Sequence, residues 1–276
     1  MVAGAIATHH EECAIGHLMA PLRRMRIDLN CDMGESFGRW ELGADAAVLP
    51  HISSANIACG AHAGDPAVMR KTLALAAGHG VACGAHPGLA DLPGFGRREI
   101  PVSPSEAGDL VLYQLGALAA IARSQGIRLS HVKPHGALYT MAARDRTLAD
   151  AIAAAVASFD RSLVLFGLAG SGMLDAGKAV GLTVAAEGFV DRSYEPDGSL
   201  TPRAVPGSVI HDLDAVVARA VLMAGNGRVR ARNGSEIALQ VDTICVHGDT
   251  PGAAGLAQAV RAGLERAGVA VVPADQ

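Results

Sequence analysis

Short apolar runs of β type alternate along the chain with longer, Ala-rich runs of helical period. Residues 26–31 (RIDLNC), 54–59 (SANIAC), 81–85, 127–132, 163–168, 183–187 and 242–246 read as strands, and 269–272 as a short eighth. Helical periods fall over 66–79, 105–125 (with Ser105 as its cap), 147–158, 172–180, 213–223 and 253–267. Strands that are mostly apolar on both faces and separated by helices predict a parallel sheet covered by helices. Seven or eight such units favour closure into a single α/β barrel over an open doubly wound sheet. No linker, low-complexity segment or strong repeat divides the chain, so residues 25–276 are expected to form one (β/α)-barrel catalytic domain.

Composition narrows the function. The chain has 276 residues, 50% hydrophobic and 18% charged, which supplies a sizeable core and excludes a disordered chain. A net charge of −4 without a basic block argues against nucleic acid or an anionic membrane as the partner. Aromatics at 3% argue against a stacking platform for bases or sugars. No apolar run reaches the ~18 residues of a membrane span. Five Cys without a CxxC pair suit a reducing cytoplasm better than a disulfide framework. The apolar start is cut short by His9, His10, Glu11 and Glu12 and has no signal-peptide form. Residues 1–24 are therefore expected to be a loosely ordered extension, with Met25 an alternative start.

Ionisable residues collect where the predicted strands end. Asp32 and Glu35 follow the first, His62 and Asp65 the second, His86 the third, Lys133 and His135 the fourth. Glu187, Asp191 and Arg192 follow the sixth, and His247 and Asp249 the seventh. Parallel barrels build their active sites from these loops. Any one such residue is more often a cap or a loop polar group, but their concentration at one end points to an active site. Glycines beside them permit positive φ and close ligand approach. The turn 167–172 (GLAGSG) opens a helix and reads equally as an anion cradle or a plain turn.

Carboxylates paired with histidines suit general acid–base work, and Lys133 suits polarising a carbonyl or pairing with an acid. Asp32, His62 and His86, on adjacent strands, are a possible trio for a divalent metal, although no HxH or HExxH spacing supports it. Cys31, Cys59, Cys83 and Cys245 also lie near strand ends. If Asp32, Asn56, His86 and His247 face inward, alternation sends Cys31, Cys59 and Cys83 to the helix side and leaves only Cys245 inside. A Ser hydrolase of the Gly-x-Ser-x-Gly type is disfavoured, since that elbow is absent.

The segments IDLNCDMGE (27–35), SANIACG with HAGD (54–65), GAHP (84–87), GFGR (94–97), VKPHG (132–136), FVDR (189–192), DG (197–198) with Arg203, and VHGD (246–249) occur in this order. Together they resemble the LamB/YcsF family from about Met25 to the end of the chain. The resemblance implies a seven-stranded barrel of the glycoside hydrolase/deacetylase type. It also implies ATP-dependent opening of the lactam of 5-oxo-L-proline (pyroglutamate) to L-glutamate, with ATP consumed and two partner subunits, PxpB and PxpC. Ala61 stands where the family usually has Phe.

On that reading Lys133, Arg192 and Arg203, with Asn30, Asn56 and Arg97, are candidates for holding substrate and phosphate. Asp32, His62 or His86 would be the base for water, and His135 or His247 the acid for the departing nitrogen. Glu35, Asp65, Glu187, Asp191 and Asp249 complete the candidate catalytic set. Two other readings stay open: a stand-alone metal-dependent amidase or deacetylase on the same barrel, and a non-catalytic lactam-binding subunit.

Overall fold

A computed structural model of the chain describes residues 25–246 and 252–276. The predicted extension 1–24, and with it the 1–24/25–276 division, lies outside the described residues. Seven parallel strands close into a barrel: β1 (Met25–Met33), β2 (Ser54–Ala58), β3 (Ala82–His86), β4 (Leu129–Val132), β5 (Val164–Leu168), β6 (Thr183–Phe189) and the strand Thr243–Val246, which pairs with both β6 and β1. A short antiparallel hairpin, β7 (Arg228–Arg230) and β8 (Glu236–Ala238), precedes that closing strand, which is therefore β9. The predicted eighth strand is β10 (Val269–Val271). It extends the sheet beside the first residues of β1, Met25 to Ile27, and takes no part in closure.

The helices are α1 (Asp45–Val48), α2 (Pro66–Gly78), α3 (Pro104–Arg123), α4 (Gly136–Arg144), α5 (Arg146–Phe159), α6 (Gly172–Ala179), α7 (Leu213–Asn226) and α8 (Ala253–Arg266). Their starts follow from cap chemistry. Asp65 caps α2 through the amides of Ala67 and Val68, with Pro66 at the first helical position. The cap of α3 is Ser103 rather than the expected Ser105. Ser103 and Glu106 satisfy each other's backbone amides in a capping box, which fixes the start two residues earlier. Asp145 caps α5 in the same manner as Asp65 caps α2.

The strand periodicity sorts the core into two environments. Ile27, Leu29, Cys31 and Met33 of β1 point outward and are buried under the helices with most of the other apolar residues. Asp28, Asn30 and Asp32 alternate with them and point into the barrel. The apolar part of the barrel interior is small: Val164, Phe166 and Ala185, with Ala274 of the C-terminal segment packed against them. The rest of the lumen is polar and hydrogen-bonded. Asp28 accepts from Ser53 and Ser54 (2.7 Å each) and from Thr243. One layer up, Asn30 donates to Glu187 (3.0 Å) and Thr243 (2.7 Å), and Asn56 donates to Asn30 (2.7 Å). Buried polar groups cost free energy unless partnered, so this ladder also fixes strand register.

Candidate active site

The polar lumen opens at the C-terminal ends of the strands into a cavity of about 520 Å³. Asp32, His86, Lys133, His135, Arg97, Arg192 and Arg203 all line it, so the structure brings seven of the predicted residues to one space. Asn30, Asn56 and Glu187 lie beneath them inside the barrel. The sequence reading ends the sixth strand at Glu187, but β6 runs on to Phe189 and holds that carboxylate within the lumen. Glu35 and His62 are buried beside His135. Asp191 is buried next to Arg192 at the end of β6. Asp65 is not in the cavity; it caps α2 and accepts from Gly38 N at 2.8 Å. His247 and Asp249 lie outside the described residues.

Lys133 is the hub. It is buried, and its Nζ lies 2.9 Å from Asp32 Oδ1, 2.8 Å from Glu187 Oε1 and 3.2 Å from Asn30 Oδ1. Burial works against its charge, yet Asp32 and Glu187 hold the ammonium well above the ordinary lysine range. Burial would likewise raise the Asp32 carboxyl, but His86 and Lys133 beside it hold it well below its usual range. Asp32 therefore faces the cavity as a carboxylate. Its Oδ1 also accepts from Asn56 at 2.8 Å, and its Oδ2 lies 3.2 Å from His86 Nε2.

The histidines form a separate cluster. His86 Nδ1 lies 2.7 Å from the Lys133 carbonyl, and His135 Nε2 lies 2.9 Å from the Phe95 carbonyl. His135 stacks on His62 with ring centroids 3.8 Å apart. Burial, and then the neighbouring histidines, push His62 and His135 well below the ordinary imidazole range, so both rings are neutral. Phe95 holds this arrangement in place. Its φ of 55° is strained for a non-glycine residue, and its ring meets both His62 and His135 edge-on. One ligand atom from each of Glu35, His62, His86 and His135 lies within 4.8 Å of the others, a donor set able to hold a metal ion.

The rim is cationic. Arg192 is fixed by the carbonyls of Thr201 (2.7 Å) and Ser208 (3.3 Å), and burial beside Arg203 lowers its guanidinium to about 10. Arg97 sits 4.8 Å above the Phe95 ring. Such a rim suits a carboxylate or phosphate. The turn 167–172 lines a neighbouring cavity of about 480 Å³ and supplies Ser171 as the N-cap of α6.

Sequence reasoning missed one member of the site. His131 lies inside the barrel, stacked on Phe166 and 2.8 Å from Asn56 Oδ1. Burial, with Lys133 nearby, lowers it to about 3. The parity of β4 carried that signal, since His131 and Lys133 are two apart. The cysteine parity holds in the structure: Cys31, Cys59 and Cys83 pack in the outer core, and the Cys245 thiol meets Lys133 Nζ at 3.1 Å inside. Ala61 is half-buried and does not line the cavity. Among the described residues no helix is long and apolar enough to cross a membrane.

Comparison with known proteins gives this geometry a context. The model of the LamB/YcsF family matches residues 27–276. The A subunit of 5-oxoprolinase from Bordetella pertussis is 57% identical over 245 residues, covering 89% of this chain and 97% of that protein. The corresponding 5-oxoprolinase chain of Bacillus subtilis is 53% identical over 246 residues, covering 89% and 96%. The crystal structure of a lactam utilization protein from Thermus thermophilus superposes with a TM-score of 0.85 at 48% identity, covering 90% of this chain and 99% of that one.

Proposed function

The chain belongs to the LamB/YcsF family, and from that premise we propose that it opens the lactam of 5-oxo-L-proline to L-glutamate in the cytoplasm, consuming ATP together with PxpB and PxpC partner subunits. The observation that carries this reading is the Lys133 ammonium, held by Asp32 and Glu187 at the floor of a cavity rimmed by Arg97, Arg192 and Arg203. A small anionic amide matches that polarity: its carboxylate toward the arginines, its carbonyl toward Lys133. The names of the relatives, 5-oxoprolinase chains and a lactam utilization protein, favour the same substrate.

A five-membered lactam is a poor electrophile. ATP can make it a better one by transferring its γ-phosphoryl group to the lactam oxygen, releasing ADP. Water then adds to the activated carbon, the ring C–N bond breaks, and the nitrogen leaves with a proton. Hydrolysis of the resulting acyl phosphate yields glutamate and inorganic phosphate. In this scheme Lys133 and the arginines stabilise the oxyanion and the phosphoryl group. Asp32 orients the attacking water and accepts its proton as the general base.

The test is glutamate release from 5-oxoproline by this chain alone and mixed with PxpB and PxpC, each with and without ATP. The expected result is release only from the complete mixture with ATP. Release by the chain alone without ATP would replace this reading with a stand-alone amidase. Tight lactam binding with no release in any mixture would leave only a binding role.

A further inference from the structure

The tautomers of two histidines are fixed by what they touch. A carbonyl oxygen only accepts hydrogen bonds, so the 2.7 Å contact to the Lys133 carbonyl places the proton of His86 on Nδ1. The 2.9 Å contact to the Phe95 carbonyl places that of His135 on Nε2. The other two ring nitrogens, His86 Nε2 and His135 Nδ1, then face each other as bare lone pairs 2.9 Å apart. A third lone-pair atom, Asp32 Oδ2, sits 3.2 Å from His86 Nε2. Three acceptors at these separations repel unless a cation lies among them.

A proton shared by His86 and His135 would satisfy that pair alone. It would leave His62, which is fully buried and has no hydrogen-bond partner for either ring nitrogen among the described residues. The Glu35 carboxylate adds an oxygen donor beside these rings, its Oε1 4.0 Å from both His62 Nε2 and His135 Nδ1. The space for these rings is kept open by glycine. A Cβ on Gly88 would come within 2.6 Å of His62 Nδ1, and one on Gly96 within 2.7 Å of His62 and 2.9 Å of His135.

We propose that Glu35, His62, His86 and His135, with Asp32 at their edge, form a binding site for one divalent transition-metal ion. Separations of 2.9 and 3.2 Å between neighbouring donors compare with about 3.0 Å for adjacent octahedral positions and about 3.4 Å for tetrahedral ones, at bonds of about 2.1 Å. Imidazole nitrogens with carboxylate oxygens select zinc, cobalt, iron or manganese over calcium and magnesium. The Nδ1–H and Nε2–H bonds to backbone carbonyls are the outer-shell partners that metal-bound histidines use. The site keeps His62 and His86 of the sequence expectation, adds Glu35 and His135, and moves Asp32 to the edge, where its Oδ1 is engaged by Lys133 and Asn56 and only Oδ2 faces His86. Binding here does not depend on the lactam reading, although His86 and His135 also border the cavity.

The full chain, stripped with chelator and reloaded with Co²⁺ or Zn²⁺ alone, tests the site by metal analysis and by the Co²⁺ ligand-field spectrum. The expected result is one ion per chain, not displaced by equal Mg²⁺, with affinity lowered at least about 10-fold in both Glu35→Gln and His62→Ala. The His9→Ala/His10→Ala double variant and His211→Ala are expected to bind as the parent does. Uptake unchanged in Glu35→Gln, or abolished in the His9/His10 variant, overturns the site. So does a folded parent chain that takes up no ion and shows an imidazolium at His86 or His135 by ¹⁵N NMR. Should His62→Ala fail to fold, Glu35→Gln decides alone, since it keeps the shape of the side chain.

Discussion

Lys133 Nζ lies 2.8 Å from Glu187 Oε1 inside the barrel, at a depth where neither group is exposed. The same ammonium reaches Asp32, so one cation serves two carboxylates. Replacing Lys133 by Met strands both. The expected cost is about 3–5 kcal/mol in urea unfolding, the usual penalty for removing one partner of a buried ion pair. Adding Glu187→Gln should recover part of it. A single-variant loss under about 1 kcal/mol would show that solvent reaches the pair freely.

Asp32 is the carboxylate at the floor of the cavity, beside Lys133. Asp32→Asn keeps the shape and removes the charge. Glutamate release by the complete mixture is expected to fall about 10²-fold or more, with KM little changed. Full turnover would remove Asp32 from the chemistry.

Arg203 belongs to the rim. Arg203→Ala is expected to raise KM for 5-oxoproline roughly 10-fold or more while kcat changes less, the signature of a contact made equally in ground and transition states. Steady-state kinetics at saturating ATP distinguish this from a fall in kcat alone.

Gly84 is a packing requirement. A Cβ there would stand 2.1 Å from Nε2 of His131, whose ring crosses β3. Gly84→Ala is expected to destabilise the chain by about 1–3 kcal/mol or more. In the Gly84→Ala/His131→Ala double variant the losses should be less than additive. Additive losses would place the clash elsewhere.

Asp28 gives stability a pH dependence of definite sign. Burial raises its carboxyl from the ordinary 3.8 to about 6, against hydrogen bonds from Thr243, Ser53 and Ser54. The folded chain therefore keeps a proton that the unfolded chain has lost. The stabilisation is complete below pH 3.8 and is lost as pH rises through about 6, with a span of about 3 kcal/mol. The difference in unfolding free energy between the parent and Asp28→Asn, followed from pH 4 to 7, isolates this group. A flat difference would mean that Asp28 ionises normally in the fold.

Much of this is readable from residue order. The barrel strands stand out because each is apolar on the face toward the helices, and their ends stand out because the inward residues there are ionisable. Asp32, His86, Lys133 and His135 are found that way. Other features leave weaker marks. Helix α4 begins at Gly136 without a side-chain cap, so nothing local announces it. The strands of the β7–β8 hairpin are three residues each, too short for a clear alternation. Asp65 resembles a site residue because a capping aspartate and a catalytic one look alike in one dimension. Glu35 and His135 are legible as polar residues but not as neighbours of His62, since Gly96 and the strained Phe95 bring those loops together in space.

The C-terminal segment runs beside the first residues of β1, with Val272 N bonded to Ile27 O at 3.0 Å, and Ala274 packs under Phe166. Gln276 thus emerges from the floor of the barrel, opposite the cavity. A chain anchored to a surface through an added C-terminal tether will stand upright and turn its open face to solution. Any protein that must reach Asp32 and Lys133 can then be captured from a mixture on that support, whereas a linker inserted among the loops that rim the cavity would stand in its path.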